Sequence, residues 1–542
     1  MRVMKKDQIP RIDLSNIPET ERTPAVKLLL SVIDLLQEQL QKQSNQLEDV
    51  LKELKRLKKL PQKPKLKASK LPKDKDDDNN SSSSVPPNKK RAGSEKRKKN
   101  SLLKVDKEEI IKAEGVPVGS FRKGYQDYVI QDLLISPIIT KFRLERWQRP
   151  DGTYQIAKLP PSLSGHHFGP TLRAYILYQY HHQCVTQPLI HQQLSEWGID
   201  ISKGQLNRLL IEDKDHFHAE KASILLSGLH VSKYIHVDDT GARHQGKNGY
   251  CTHIGNELFA WFKSTKNKSR INFLELLRQS SSRYCLTKES FTYMKRYSVA
   301  PWIRDKLSSY KNKEFPDRTS WNKLLEHLEI TNQHYIRLIT EAALIGSILL
   351  DGFNQDRVIL SDDAGQFNVF QHALCWIHAE RGITTLIPSN EPQSNAIAWA
   401  RDQIWTIYHL LLDYKAQPTS SLKTKINQLF NSMCQTKTDY QLLNSALKRM
   451  LANKNELLLV LNRPEIPLHN NLSERDIREY VKRRKISGST RSDDGRKCRD
   501  TFTSLKKTAK KLKLRFWDYL LDRLTDKNQI PSLSSLIEAA AQ

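Results

Sequence analysis

Two short apolar runs that each end in a pair of aspartates constrain this chain more than any other feature. Tyr234-Ile-His-Val-Asp238-Asp239-Thr240 is a β-branched strand that delivers two acids at its end, and Arg357-Val-Ile-Leu-Ser-Asp362-Asp363-Ala-Gly repeats the form. A further strand, residues 250–263, follows the first after a glycine-rich turn. A carboxylate emerging from a buried strand is costly unless it has donors or a cation, whereas a lone strand-end aspartate is an ordinary turn former or helix cap. Two such strands in one sheet would set oxygen ligands side by side.

A third acid lies in Leu468-His-Asn470-Asn471-Leu-Ser-Glu474-Arg475-Asp476-Ile-Arg478, which continues as a basic helix to Lys485. Asn471 or Ser473 is placed to cap that helix, which puts Glu474 in its first turn with Ile477 and Val481 on the buried side. Alone, such a glutamate is a helix-dipole partner that pairs with Arg478 one turn on. The chain carries 88 Lys+Arg against 60 Asp+Glu, a net charge of +28, which calls for a polyanionic partner. Part of the surplus sits just after Glu474, in Lys482, Arg483, Arg484, Lys485, Arg491, Arg496, Lys497 and Arg499, and again in Lys506, Lys507, Lys510, Lys511, Lys513 and Arg515. These are expected to grip a phosphate backbone, with Phe516, Trp517 and Tyr519 anchoring the last helix to the core.

Upstream, Val26, Leu29, Ile33, Leu36, Leu40, Leu47, Val50, Leu54 and Leu57 fall on alternating steps of three and four, with Gln43 completing the register. That is a coiled-coil seam, so residues 1–60 are expected to join copies of the chain into a homo-oligomer. Residues 61–104 form a disordered basic linker rich in Lys, Asp, Ser and Pro. Residues 105–164 form a small β-rich module, with strands expected at 128–134, 139–148 and 154–159 and a Pro150-Asp151-Gly152 turn. Residues 165–230 turn helical, at 172–180, 189–197 and 205–210, with Ser202 as a helix cap; the last two helices form a helix-turn-helix, presenting Lys203, Gln205, Asn207 and Arg208 to DNA. No apolar run approaches the ~18 residues of a membrane span, no signal-peptide core follows the basic start, and six scattered cysteines make no disulfide framework. A cytoplasmic, nucleoid-associated protein without membrane contact is the expectation.

The blocks His-Val-Asp238-Asp239-Thr240, Leu-Ser-Asp362-Asp363-Ala-Gly, Cys375-Trp-Ile-His378-Ala-Glu-Arg381 and Asn470-Asn471-Leu-Ser-Glu474-Arg475 together resemble the catalytic core of insertion sequence 66 family transposases, over about residues 165–524. The resemblance implies an α/β fold: a ribonuclease-H-like DDE core over residues 231–500, ending before a basic helical region at 501–542. It implies Asp238, Asp362 and Glu474 as catalytic ligands of two Mg²⁺ (or Mn²⁺) ions, with Asp239 and Asp363 as the alternates within each pair. Cys375, His378, Asn471 and Arg475 would support the site. The activity implied is cleavage at the ends of an insertion sequence and strand transfer to target DNA; the alternatives are a non-catalytic DNA-binding or assembly protein that keeps the fold, and a ribonuclease-H-like nuclease. Since 124 residues separate Asp238 from Asp362 and 112 separate Asp362 from Glu474, helical insertions are expected at about 278–356 and 382–463. Many family members carry a cysteine-rich zinc module ahead of the core, whereas residues 61–183 here contain no cysteine. No zinc is expected.

Overall fold

The computed structural model describes residues 23–24, 26, 31–33, 35–36 and 38–39, then 104–278 and 281–542. The chain divides into two units, residues 1–130 and 131–542. In the first, Val26, Ile33 and Leu36 of the heptad seam are helical; the rest of the seam and linker residues 61–103 lie outside the described residues. Residues 104–130 contain no helix or strand.

The second unit opens on a hairpin, β1 (Arg146–Gln148) and β2 (Tyr154–Ile156), closed by the expected turn: Asp151 accepts from the Thr153 amide at 2.9 Å, and Gly152 takes a φ of +81°. The β-rich module otherwise falls short. No strand forms at 128–134, and the strand expected at 139–148 shrinks to three residues. The reason is burial: Ile130, Leu133, Leu134, Ile138 and Ile139 are 75–92% exposed, and alternation without a face to bury does not make a stable strand.

Helical sequence follows as expected, in Pro170–Leu177, a π-turn Tyr178–His182, Gln187–Glu196 and Lys203–Ile211. Ser202 caps the last of these reciprocally. Its Oγ accepts the Gln205 amide at 3.2 Å while the Gln205 side chain accepts the Ser202 amide at 2.9 Å. Ser202→Ala is expected to destabilise the protein by about 1 kcal/mol in urea unfolding; an unchanged midpoint would remove the cap from the account.

A five-stranded mixed sheet organises the rest, its strands lying side by side in the order 260–265, 250–255, 234–241, 358–361 and 371–374. Strands β3 (Tyr234–Gly241), β4 (Tyr250–Gly255) and β5 (Ala260–Thr265) run antiparallel, and β8 (Val358–Ser361) and β9 (Gln371–Leu374) join β3 in parallel. The intervening β6 (Tyr284–Cys285) and β7 (Glu314–Phe315) pair in a separate two-stranded sheet. Around them the described residues of 270–350 form five helices, the last being Gln333–Leu350, a buried span of the core. Between β9 and the Glu474 helix (Asn471–Ser487) the chain forms further helices, among them the 26-residue Glu391–Ala416.

The outer edge of β5 is sealed by side chains of the Asp493–Lys511 helix. Thr508 Oγ1, Ser504 Oγ and Asp500 Oδ2 accept the amides of Ala260 at 3.1 Å, Phe262 at 2.9 Å and Ser264 at 2.7 Å. The spacing explains the fit. Four helical residues advance about 6 Å and two strand residues about 6.6 Å, so three small polar side chains one turn apart meet three consecutive outward amides. An exposed strand edge is thereby closed to other chains.

Candidate active site

Side-chain parity in the sheet decides which acids face one another. Along β3, His236, Asp238 and Thr240 share one face, and the cross-strand partner of Asp238 is His253 of β4. The Glu474 helix lies over that face. Asn470 Oδ1 accepts from His236 Nδ1 (2.8 Å) and its Nδ2 donates to the Val237 carbonyl (2.8 Å); Ser473 bonds His253 Nδ1 at 2.6 Å; Arg484 donates to the Gly241 carbonyl. In β8 the residues paired with Tyr234 and His236 are Val358 and Leu360, and Asp362 lies just past the end of that strand, beside the Asp238 end of β3.

Asp238, Asp362 and Glu474 accordingly feel one another. Burial first, then the charges of Asp362, Asp239 and Glu474, push the Asp238 carboxyl up to about 7 against the opposing Asp239 amide bond. Asp239 points to the other face, where Thr252 Oγ1 and Gln366 Nε2 (2.9 Å) donate to it. Asp363 is exposed and held from outside by Arg449 at 3.3 Å and Asn453 at 3.3 Å. Glu474 is drawn toward cations: its Oε1 is buried without a hydrogen bond, 3.5 Å from His378 Nε2 and 3.7 Å from Arg381. Arg478 Nη2 stands 3.9 Å from its other oxygen.

As these side chains are oriented, no three His, Cys, Asp or Glu among the described residues stand close enough to hold a metal ion. The donor set still suits a hard divalent cation: three carboxylates, of which Asp238 is made costly to ionise by burial and then by its neighbours' charges, and a buried glutamate oxygen lacking a donor. That cost has a measurable sign. The folded protein keeps the Asp238 proton from about pH 4 to about pH 7 while the unfolded chain releases it, so folding stability falls as pH rises through this window. Metal-free Asp238→Asn is expected to gain about 2–4 kcal/mol on the wild type between pH 4 and pH 8. A pH-independent difference in urea unfolding would contradict the raised carboxyl.

The supporting residues divide. Cys375 is buried, its thiol pushed up to about 11 by burial, and its Sγ accepts the Asn470 amide at 3.2 Å; His378 faces Glu474. Asn471 opens the helix but neither it nor Ser473 caps it; the cap position is Asn470, whose side chain is spent on β3. Arg475 is exposed and makes no contact with the acids among the described residues. Asn470, His236, His253 and Asp476 were not anticipated. Their signal was present in the His236–Asp238 parity and in the Asn470-Asn471 doublet. Asp476, buried two residues on from Glu474, receives His253 Nε2 at 3.2 Å, Lys507 at 3.0 Å and Lys511 at 2.9 Å.

The basic residues also need sorting. Lys482, Lys485 and Arg491 are exposed, as are Lys203, Asn207 and Arg208 of the helix pair. Arg483 is buried instead, donating to the Tyr180 carbonyl at 2.5 Å and lying 3.8 Å over the Tyr180 ring, and Arg484 is tied to β3. Arg496 pairs with Asp493 at 2.7 Å, and Gln205 serves the cap. Lys506, expected to grip phosphate, is buried on Glu479 at 3.0 Å, and Lys507 and Lys511 are spent on Asp476. Long cationic stems beside buried carboxylates are structural whatever the sequence run suggests. Among the described residues no helix is long and apolar enough to cross a membrane.

The span holding β8, β9 and the Glu474 helix is also where known proteins match. A family model described as "Transposase IS66 family" covers residues 334–498, which include Asp362, His378 and Glu474. The chain is 42% identical over 321 residues to the uncharacterized protein y4jO of Sinorhizobium fredii (strain NBRC 101917 / NGR234), an alignment spanning 59% of this chain and 100% of that protein. With two of the three facing acids inside the family span and a relative matched along its whole length, this chain belongs to the IS66 transposase family.

Proposed function

We propose that the protein is a DDE-type DNA transposase that cleaves the ends of an insertion sequence and transfers the freed 3′ ends to target DNA. The observation that carries this reading is that Asp238, on the sheet face covered by the Glu474 helix, has its carboxyl raised to about 7 by burial and then by charges that include Asp362 and Glu474. Three antiparallel strands followed by two parallel ones, with acids leaving β3 and β8 and a third on a covering helix, support a ribonuclease-H-like core.

Asp238, Asp362 and Glu474 would hold the divalent ions. When bound, two Mg²⁺ ions supply activation of the attacking oxygen and charge stabilisation at the leaving oxygen of an in-line displacement at phosphorus. The chain's own groups orient and neutralise. Asn470 and Ser473 fix the start of the Glu474 helix against β3 and β4, so the glutamate reaches the aspartates from a rigid element. Arg381 and Arg478, about half and three-quarters exposed, are free to turn from Glu474 to the phosphates of an entering strand. Lys482, Lys485 and Arg491 extend that grip along the backbone. The N-terminal seam would pair copies so that two element ends are held together, in the cytoplasm where the DNA lies.

Incubating the full chain with a labelled element end, a target plasmid and Mg²⁺ or Mn²⁺ tests the reading. Joined product is expected. Cleavage without joining points to a nuclease, and binding without either to an assembly protein.

A further inference from the structure

A cleft of about 470 Å³ lies 161–526 in the chain, between the loop before Pro170, the Lys203–Ile211 helix and the end of the Phe516–Leu524 helix. Its volume falls within the ~300–1,000 Å³ of ligand sites. Two of the side chains lining it, Arg173 and Lys214, are 9% and 8% exposed. Burial at that level normally demands a carboxylate partner for each charge. Neither has one among the described residues. Arg173 Nη2 donates to the Ser162 carbonyl at 2.6 Å, its Nε has no acceptor at all, and Lys214 donates only to the Glu212 carbonyl. The acids at the cleft, Glu212, Asp213 and Asp526, are exposed and form no ion pair with either cation.

The surplus is felt by the neighbouring imidazoles. His166 is held below its ordinary value by burial and then by Arg173, with Lys214 adding to it and Asp213 opposing; His216 is lowered by burial and by Lys214 against Glu220 and Asp526. The cleft therefore presents two buried cations that form no ion pair among the described residues, Asp213 and Asp526 acting on Arg173 and Asp213 and Glu212 on Lys214 only at longer range, with the exposed Arg208 at its rim.

We infer that this cleft is a phosphate-binding site, in which Arg173 and Lys214 close on one tetrahedral anion and Arg208 reaches its outer oxygens. Arg173 supplies its guanidinium and Lys214 its ammonium, charge-assisted donors of the kind that recognise phosphate. Two sources share this chemistry: a backbone phosphate of DNA lying along the Lys203–Ile211 helix, and a free phosphate compound. The first deepens the DNA-binding part of the proposed function and rests on that part alone, not on the carboxylates.

The test uses the full chain labelled with ¹³C-histidine, without metal, titrated with inorganic phosphate and, in parallel, with an element-end duplex. Saturable shifts at His166 and His216 are expected with phosphate. Arg173→Gln is expected to weaken phosphate binding about tenfold or more, the loss of a charge-assisted contact. If the source is DNA, the same variant weakens duplex binding similarly and lowers the salt slope by about one. If duplex binding is unchanged while the phosphate shifts persist in the wild type, the site takes a free phosphate compound. Arg208→Ala, at the exposed rim, gives the same direction of change should Arg173→Gln fail to fold. Absence of saturable shifts at His166 and His216 in the wild type overturns the inference. Asp238→Asn protein should bind phosphate normally, so failure of the catalytic reading leaves this result standing.

Discussion

Asp238→Asn, Asp362→Asn and Glu474→Gln are each expected to lower single-turnover cleavage of an element end by about a thousandfold, the scale on which loss of one preorganised charge group acts. On the proposed mechanism the three acids work as one unit, and any double variant should be little worse than a single one. The neighbours provide the contrast. Asp363 is exposed and occupied by Arg449 and Asn453, and Asp239 faces the opposite side of the sheet with Thr252 and Gln366. Their asparagine variants are expected to lose about tenfold or less, as an outer-shell change does. Equal losses in Asp362→Asn and Asp363→Asn would show that strand parity has assigned the wrong member of the pair.

The largest stability effect is expected at Asp476. Its side chain is 6% exposed and takes His253, Lys507 and Lys511 at once, which pins the Glu474 helix to β4 and to the Asp493–Lys511 helix. Burial pushes the carboxyl up, but the His253 hydrogen bond and the Lys511 and Lys507 charges outweigh it and hold it well below the usual range. Burial also lowers His253, which fits a neutral ring donating from Nε2 and accepting the Ser473 hydroxyl at Nδ1. Asp476→Ala strands two ammonium groups and should cost about 3–5 kcal/mol at pH 7 in urea unfolding. Because the folded carboxyl is depressed, its contribution is full above the ordinary carboxylate range and is lost as pH falls through the folded value. The gap between wild type and variant should therefore narrow on acidification. Replacing Asp476 with Leu together with Lys507→Met and Lys511→Met should recover most of the loss, since an apolar set of similar volume avoids the buried charges. A cost under about 1 kcal/mol for Asp476→Ala would mean the cluster is no more than a surface ion pair.

The acids were legible in the sequence because they are local: an apolar run followed by Asp-Asp needs only its own residues to be recognised, and Ser202 before Gln205 likewise carries its own cap. The residues that place Glu474 were not, because they depend on pairing. That Asp238 lies opposite His253 follows from the strand register, and that His253 lies beneath Ser473 and Asp476 joins positions more than 200 residues apart. The basic runs misled for the same reason. Arg483, Lys506, Lys507 and Lys511 look like phosphate ligands in one dimension, yet Tyr180, Glu479 and Asp476 reach them in three. At 128–139 the error ran the other way: alternation predicted strands where no neighbouring surface buries the apolar side chains.

Asp238, Asp362 and Glu474 are proposed to form one cation site. Titrating the full chain with Mn²⁺ and following the free-ion electron paramagnetic resonance signal measures that directly. Wild type is expected to take up Mn²⁺ saturably, and Asp238→Asn, Asp362→Asn and Glu474→Gln are each expected to weaken uptake by about tenfold or more while Asp363→Asn leaves it unchanged. Mn²⁺ uptake that survives in all three variants, with each still folded, would contradict it.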